Sequence, residues 1–274
     1  MRIVLATDLG DQASELFANA LKIALATRSR LDLLHVSPDG APLTDWRTLP
    51  TVRELLVRWG SLAEGATYKD FEHLGVQVFV HSDIAEGPIT DRVVRRVHEL
   101  QPDLLVLGTH GRRGFDHIMN GSVAEPVLRR CHTPTLLLGA SAQGLVDADT
   151  GSMSVKRVLL PSTDAVPQQP VMDAMVELLS QLGASPLEIT VLHVGDPTHL
   201  PVLDLPKRPD WVWKTDVRHG NVVDCIVEAA REHRADLVAM ATQGHDTWID
   251  ALRGSTTERV LRQIDRPLLV VPVE

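Results

Sequence analysis

The amino-acid sequence predicts an α/β protein made of two tandem domains, each with a parallel sheet flanked by helices. Short apolar runs alternate strictly with amphipathic helical segments, as in chains of βαβ units. The apolar runs do not alternate with polar residues, which indicates strands buried on both faces. The second half also repeats the first, because Gly87 and Gly220 lie 133 residues apart, as do Gly121 and Gly254. This shared period predicts two homologous domains.

The elements of the first half follow from apolar periodicity and turn residues. Continuous apolar runs predict strands at 2–7, 31–36, 76–80, from 104 onward and at 133–139. Apolar residues at helical spacing predict helices at 12–27, 51–73, 88–100 and 122–132. Pro88 suits the first turn of its helix, where no N–H is needed. Pro38 and Gly40 mark a turn that closes the second strand.

A small, polar segment without periodicity follows at 140–154 and indicates a linker. The predicted organisation is therefore a first domain at 1–140, a linker at 141–155 and a second domain at 156–274.

The second half restarts the alternation, with strands at 156–162 and 187–194 around a helix at 171–182. It has no counterpart of the helix at 51–73, because 195–210 carries four prolines instead. This loss uncovers part of the second sheet, which would be open to a partner, to the first domain or to its own loop. Packing of Trp211 and Trp213 over that face is the preferred interpretation.

The composition is typical of a globular protein in a reducing compartment. The net charge of -9 argues against generic binding to nucleic acid or to an anionic membrane. Cys131 and Cys225 form no CxxC pattern and are predicted to be buried free thiols. No leader precedes the first strand and no apolar run spans a bilayer, so a cytoplasmic location is predicted. The histidines are scattered, so no metal site is predicted.

The segment at 104–123 combines a buried strand, a glycine-bearing loop and a helix start. Gly108, Gly111, Gly121 and Ser122 are spaced as G-x2-G-x9-G-S. Glycines let a loop bring its amides close to an anion, and a helix N-terminus favours the same ligand. The alternative is structural, since Ser122 and Glu125 are also spaced as a capping box. In parallel sheets, ligands bind beyond the carboxyl ends of the strands, which favours a phosphate site here.

The second copy of this motif is degenerate. Ala241 replaces the first glycine and Gln243 stands where the first half has His110. The acidic residue after the first strand is also displaced, because Thr163 aligns with Asp8. Nucleotide binding by the second copy therefore competes with a purely structural role. The residues that would form this second site are Val194, Gly244, Gly254 and Ser255.

Asp8 after the first strand, His35-Val36 at the end of the second, and the glycine motif together resemble the universal stress protein family. The resemblance covers both halves, so the chain looks like a tandem-type, UspA-like bacterial member. It implies Rossmann-like sheets of five parallel strands, of the adenine-nucleotide-binding type. It also implies pairing of the two domains through their last strands, as an intrachain pseudo-dimer. The nucleotide-binding residues that it implies are Ala6, Thr7, Asp8, Val36, Gly108, His110, Gly111, Gly121, Ser122 and Val123.

Three functions remain open at this point. The first is an ATP- or other adenine-nucleotide-binding stress-response protein that senses or sequesters nucleotide, with slow or no hydrolysis. The second is a true ATPase, against which the sequence has no Walker lysine and no evident general base. The third is a scaffold or interaction protein without nucleotide. Mg2+ would arrive with the nucleotide phosphates, and homodimer formation stays open.

Overall fold

The computed structural model describes residues 1–42, 44–109, 123–139, 144–162, 167–243 and 256–273. The strands of this described part are β1 (Arg2–Ala6), β2 (Arg30–Pro38), β3 (Gln77–Ala85), β4 (Leu104–Thr109), β5 (Thr135–Gly139), β6 (Arg157–Ser162), β7 (Leu187–Val194), β8 (Trp211–Arg218), β9 (Leu237–Gln243) and β10 (Leu268–Val273). Its α-helices are α1 (Ala13–Thr27), α2 (Val52–Arg58), α3 (Tyr68–Glu72), α4 (Ile89–Leu100), α5 (Ala124–Cys131), α6 (Gln169–Gln181), α7 (Val222–Glu232) and α8 (Thr256–Gln263).

The strands form one sheet in the order β3-β2-β1-β4-β5-β10-β9-β6-β7-β8. Within each half all neighbours are parallel, which confirms the predicted α/β class. The halves join through the antiparallel pair β5–β10, where Thr135 lies opposite Val270. Because the two halves have the same strand order on either side of this junction, an approximate two-fold axis perpendicular to the sheet relates them.

Side chains of the sheet alternate between two apolar layers. Ile3 and Leu5 point to the face covered by α1, α2 and α6. Val4 points to the opposite face, which is covered by α4, α5, α7 and α8. All three side chains are fully buried, and complete burial of such a side chain stabilises the fold by about 1.5–3 kcal/mol. The continuous apolar runs in the sequence are therefore strands with helices on both sides.

The single helix predicted at 51–73 is wrong, since the structure has two short helices, α2 and α3. A capping box between Thr51 and Glu54 starts α2, and Gly60 with φ +65° ends it. The left-handed conformation at this glycine turns the chain away from the helix axis. A second capping box at Thr67 then starts α3. Apolar spacing continued across the break, but the glycine and the second cap divide the segment.

Strand β3 is longer than the predicted strand at 76–80, because its polar second half also pairs with β2. The imidazole Nε2 of His81 lies 2.6 Å from the carboxylate of Asp32. The hydroxyl of Ser82 accepts a hydrogen bond from the indole of Trp46. These contacts satisfy the polar side chains. In the sequence the same polar residues end the apolar run, which is why the predicted strand stops at residue 80.

Residues 144–155 of the predicted linker pack against the first half. The amide of Val146 donates to the side chain of Asn19 on α1, at 3.1 Å. The indole of Trp59, just after α2, donates to the carbonyl of Ala148 at 2.9 Å. Leu145 and Val146 are buried. This segment is thus held by side-chain contacts as well as by the chain on either side.

The second half compensates for its missing helix with residues on β8 and in the loop before it. Trp211 is buried and Trp213 packs against the same apolar layer. Leu203, from the proline-bearing segment, joins them. This confirms that the two tryptophans pack. Cys131 and Cys225 are buried free thiols, as predicted, and no helix in the described ranges is long and apolar enough to cross a bilayer.

Candidate functional site

The candidate site lies where the strand order of the first half reverses. Strands β1 and β4 are neighbours within the first half of the sheet, although β2 and β3 lie between them in the sequence. The chain leaves β1 toward one side and β4 toward the other, which opens a crevice at their carboxyl ends. Ala6 and Gly108 stand at these two strand ends, and Thr7 and Asp8 follow Ala6 directly.

A tight turn after β1 holds the Asp8 side chain. The amide of Gly10 donates to Asp8 Oδ1 at 2.9 Å, and the amide of Leu9 donates to Thr7 Oγ1 at 3.0 Å. Leu9 is left-handed, with φ +58°. A Cβ on Gly10 would lie 2.9 Å from Asp8 Oδ2, closer than real Cβ contacts. Glycine at this position therefore leaves room for the carboxylate in an exposed, oriented turn.

Gly108 allows close approach of α1 to the end of β4. A Cβ built on it would lie 2.8 Å from Leu16 Cδ1 and 3.5 Å from Gln12 Oε1. The sequence motif suggested that this glycine leaves space for a ligand. The described contacts give it a packing role against the first turns of α1. They also bring Gln12, which sequence reasoning did not single out, to the same crevice.

The end of β2 forms the neighbouring wall of the crevice. Imidazole Nδ1 of His35 lies 2.8 Å from the carbonyl oxygen of Thr7, and this contact ties the ends of β1 and β2 together. The indole of Trp46 meets the His35 ring edge to face, with centroids 6.3 Å apart. Val36 is buried beside them. Sequence reasoning placed His35 at the end of the second strand but did not include Trp46, which comes from a loop without periodicity.

An ion cluster lies beneath this wall. Asp83 is the register partner of Val36, and it accepts two hydrogen bonds from Arg96 on α4. Burial acts to raise the pKa of Asp83, but Arg96 and the nearby Arg92 hold it below its ordinary value. The carboxylate is therefore ionised and paired, and it anchors α4 to the end of β3.

Helix α5 brings an N-terminus toward the carboxyl edge, because a helix between parallel strands runs opposite to them. Val123 is its N-cap residue, and the carbonyl of Val123 accepts the first helical hydrogen bond from Val127. The amides of a first turn have no partner within the helix and favour anions. The remaining predicted residues lie outside the described part of the chain: His110, Gly111, Gly121 and Ser122.

The second half has a different arrangement at the matching edge. Ser162 and His193 are register partners at the ends of β6 and β7. His193 Nε2 lies 3.0 Å from the carbonyl oxygen of Asp196. Within the described residues, neither His193 Nδ1 nor Ser162 Oγ has a hydrogen-bond partner, although both atoms are buried. In the first half, His35 instead uses Nδ1 to contact the neighbouring strand.

The other predicted residues of the second site are only partly placed. Val194 ends β7 and is half-buried. Ala241 occupies the Gly108 position on β9 and packs against the apolar layer of α1 and α6. Gly244, Gly254 and Ser255 lie outside the described residues. The structure thus brings Val194 and Ala241 to the second edge without showing the loop that would complete a site.

Comparison with known proteins now adds to this geometry. The model of the universal stress protein family matches residues 1–139 and 209–272. The chain belongs to the universal stress protein family. A universal stress protein of Methanocaldococcus jannaschii is 32% identical over 142 residues, which cover 50% of this chain and 81% of that protein. The first matched segment covers the first repeat, and the second covers the carboxyl-terminal part of the second repeat, from just before β8 to β10.

Solved structures support the same tandem universal stress protein fold over nearly the whole chain. A universal stress protein from Archaeoglobus fulgidus aligns over 99% of this chain and 96% of its own, with a TM-score of 0.62 and 17% identity. A protein of unknown function from Pseudomonas aeruginosa aligns over 99% and 92%, with a TM-score of 0.64 and 14% identity.

Proposed function

We propose that this universal stress protein binds an adenine nucleotide at the carboxyl edge of its first repeat, and that it senses or sequesters the nucleotide with slow or no hydrolysis. The observation that carries the proposal is the orientation of Asp8. Its carboxylate sits at the switch point between β1 and β4, fixed by the Gly10 amide. An exposed carboxylate in this place is suited to accept hydrogen bonds from ribose hydroxyls.

The other parts of the crevice fit the rest of a nucleotide. Backbone groups at the end of β2, beside Val36 and His35, would contact the base. The α5 N-terminus, which begins at Val123, would attract the phosphates. Gly111, Gly121 and Ser122 would complete this phosphate contact, and Mg2+ would enter on the phosphate oxygens.

Binding without rapid turnover is the form of the activity that the chain supports. The sequence contains no G-x4-G-K-[ST] motif, so no P-loop lysine is available to stabilise charge on a transferred phosphate. In this proposal the carboxylate of Asp8 contacts the nucleoside and does not activate a water molecule. We therefore assign a sensing or sequestering role, and we place the principal site in the first repeat.

Calorimetric titration with ATP and Mg2+ tests the proposal, using wild type, Asp8→Ala and Asp11→Ala. Asp11 is an exposed carboxylate three residues away and serves as the matched control. Loss of a hydrogen bond to a charged group costs about 1.5–3 kcal/mol, so Asp8→Ala should weaken binding by roughly 10- to 150-fold. Asp11→Ala should bind like wild type. ADP, AMP and cyclic AMP titrated in parallel identify the preferred nucleotide.

Each of the other outcomes has a definite meaning. Equal affinity of wild type and Asp8→Ala would show that the carboxylate does not bind the nucleotide. A folded wild type that binds no adenine nucleotide would reject the proposal and favour the scaffold function. Two equivalent sites per chain would show that the second repeat also binds, despite Ala241. Gly121→Val changes the phosphate motif and leaves Asp8 unchanged in sequence. This substitution should abolish binding.

A further inference from the structure

The two repeats present equivalent helix surfaces on the same face of the sheet. Helices α4 and α5 cover this face in the first repeat, and α7 and α8 cover it in the second. A groove of about 790 Å³ runs between α4 and α5. Each residue of this surface has a counterpart 133 positions later, so the charges of the two repeats can be compared position by position.

The groove of the first repeat is cationic. It is lined by three arginines, two carboxylates and two histidines, a formal charge of +1 with the histidines neutral. Both carboxylates are occupied within the chain, because Asp91 pairs with Arg130 and Glu99 pairs with Arg96. Arg95 and Arg129 are exposed and have no ion-pair partner among the described residues.

The matching positions of the second repeat are acidic. They hold two arginines and four carboxylates, a formal charge of -2. Glu228 stands at the position of Arg95, so the charge is inverted there. Glu228 and the neighbouring Asp224 are both exposed, and neither forms an ion pair in the parts of the chain that the structure describes. Within a protein of net charge -9, the cationic groove is also a local exception.

We propose that this helix face is a self-association surface, on which the cationic α4–α5 groove of one chain receives the acidic α7–α8 surface of a second copy. A two-fold axis parallel to the strands would stack two copies face to face, with each first repeat over the partner's second repeat. The same contact then forms twice, and the dimer closes without further growth.

The repeat symmetry explains why the inversion matters. The two repeats are related by an approximate two-fold axis through the β5–β10 junction. An axis parallel to the strands places equivalent positions of the two repeats opposite one another where they lie near mid-height of the sheet. Arg95 and Glu228 meet this condition, because each is the seventh residue of its helix, close to the middle of α4 or α7. If both repeats carried an arginine at this position, the two side chains would repel, whereas Arg95 opposite Glu228 attracts. Like charges at such a contact are unfavourable, so opposite charges at one repeat position favour this pairing over a shifted one.

Sedimentation equilibrium of the full chain at low salt and at about 0.5 M salt tests the proposal. Wild type should dimerise at low salt and dissociate as the charges are screened. Arg95→Glu and Glu228→Arg should each raise the dimer Kd by about tenfold or more. The double variant, with both reversals, should recover wild-type dimerisation. Lys69→Glu makes the same charge change at an exposed position on α3 and should leave the Kd unchanged.

A wild type that stays monomeric at low salt would overturn the proposal. So would a dimer that ignores both single reversals, or single reversals that the double variant does not rescue. Binding of anionic vesicles or nucleic acid by the monomer, lost in Arg95→Glu, would assign the groove to a different partner. Circular dichroism of each variant shows whether the fold is kept. ATP binding measured on the same variants keeps this result separate from the nucleotide site.

Discussion

Replacement of Gly108 by alanine separates packing from ligand contact at the end of β4. The new Cβ would lie 2.8 Å from Leu16 Cδ1, whereas an ordinary carbon–carbon contact is about 3.5–4.0 Å. Leu16 is 3% exposed, so its side chain is enclosed by the apolar layer around α1. Overpacking of this kind costs about 1–3 kcal/mol. Alanine loses less backbone entropy on folding than glycine does, and this difference offsets about 0.5–1 kcal/mol of the cost. We therefore expect Gly108→Ala to destabilise the chain by about 1–2 kcal/mol.

The second repeat indicates how the clash can be relieved. There Ala241 replaces Gly108. With Thr163 aligned to Asp8, the residue on α6 that matches Leu16 is Val171, whose side chain is one carbon shorter. Leu16→Val alone should cost about 1 kcal/mol for the lost methylene. The double variant should be no less stable than Leu16→Val alone, because the added methyl fills the space that the deletion leaves. The coupling between the two sites should therefore be about 1–2 kcal/mol in the stabilising direction.

Urea denaturation of the four proteins, followed by circular dichroism, measures this coupling. A double variant whose loss equals the sum of the single losses, within about 0.5 kcal/mol, would contradict the packing argument. ATP titration of the double variant gives the second comparison. Retained affinity would show that a methyl at this position is compatible with nucleotide. Restored stability with lost affinity would instead mean that Gly108 is needed for approach of the ligand.

Three further perturbations test other contacts. Gly10→Ala should lower nucleotide affinity about tenfold in titration calorimetry, because the added methyl would displace the exposed Asp8 carboxylate. The urea midpoint should change little, and an unchanged affinity would contradict this prediction. Burial raises the pKa of Asp32 but its ion partners hold it below the ordinary value, so its pairing is present above about pH 3.9 and is lost as the pH falls further. Asp32→Asn should therefore destabilise the chain by about 2–3 kcal/mol at neutral pH. The difference in unfolding free energy from wild type, measured by urea denaturation, should shrink below about pH 4, and a pH-independent difference would refute the ion pairing of Asp32. Trp59→Phe removes the hydrogen bond to Ala148. This should cost about 1 kcal/mol and speed amide hydrogen exchange across 144–155, whereas unchanged exchange would show that other contacts hold the segment.

The sequence predicted the parts of the fold that depend on burial and local periodicity. Strand β7 was predicted with its observed ends, Leu187–Val194, because a largely apolar run lies between Pro186 and Gly195. Helix α1 was predicted to within one residue for a similar reason. The division into α2 and α3 was missed, because the residues around Gly60 keep helical spacing although the glycine ends the helix. Apolar spacing records which face is buried, and it records backbone breaks poorly.

At the candidate site, the sequence identified residue types but not their contacts. Asp8 was singled out by its place after a strand, but Gly10 was not, although its amide donates to Asp8 and a Cβ on it would lie 2.9 Å from the carboxylate. An Asp-x-Gly pattern directly after a buried strand is the signal that would have found it. Trp46 had no such signal, because its contact with His35 joins segments that only tertiary folding brings together.

The tandem arrangement explains why one repeat can lose its motif while the fold is kept. Strand β5 would be an unpaired sheet edge in an isolated first repeat, and such an edge invites pairing with another chain. Here β10 of the second repeat pairs with it, and this contact depends on no residue of the G-x2-G-x9-G-S motif. Because the junction is antiparallel, the carboxyl ends of the two sets of strands also point to opposite edges of the sheet. A change such as Ala241 therefore lies far from the Asp8 crevice and leaves the pairing of β5 unaffected. The second repeat can accordingly diverge in its loop and surface charges while it still completes the sheet for the first.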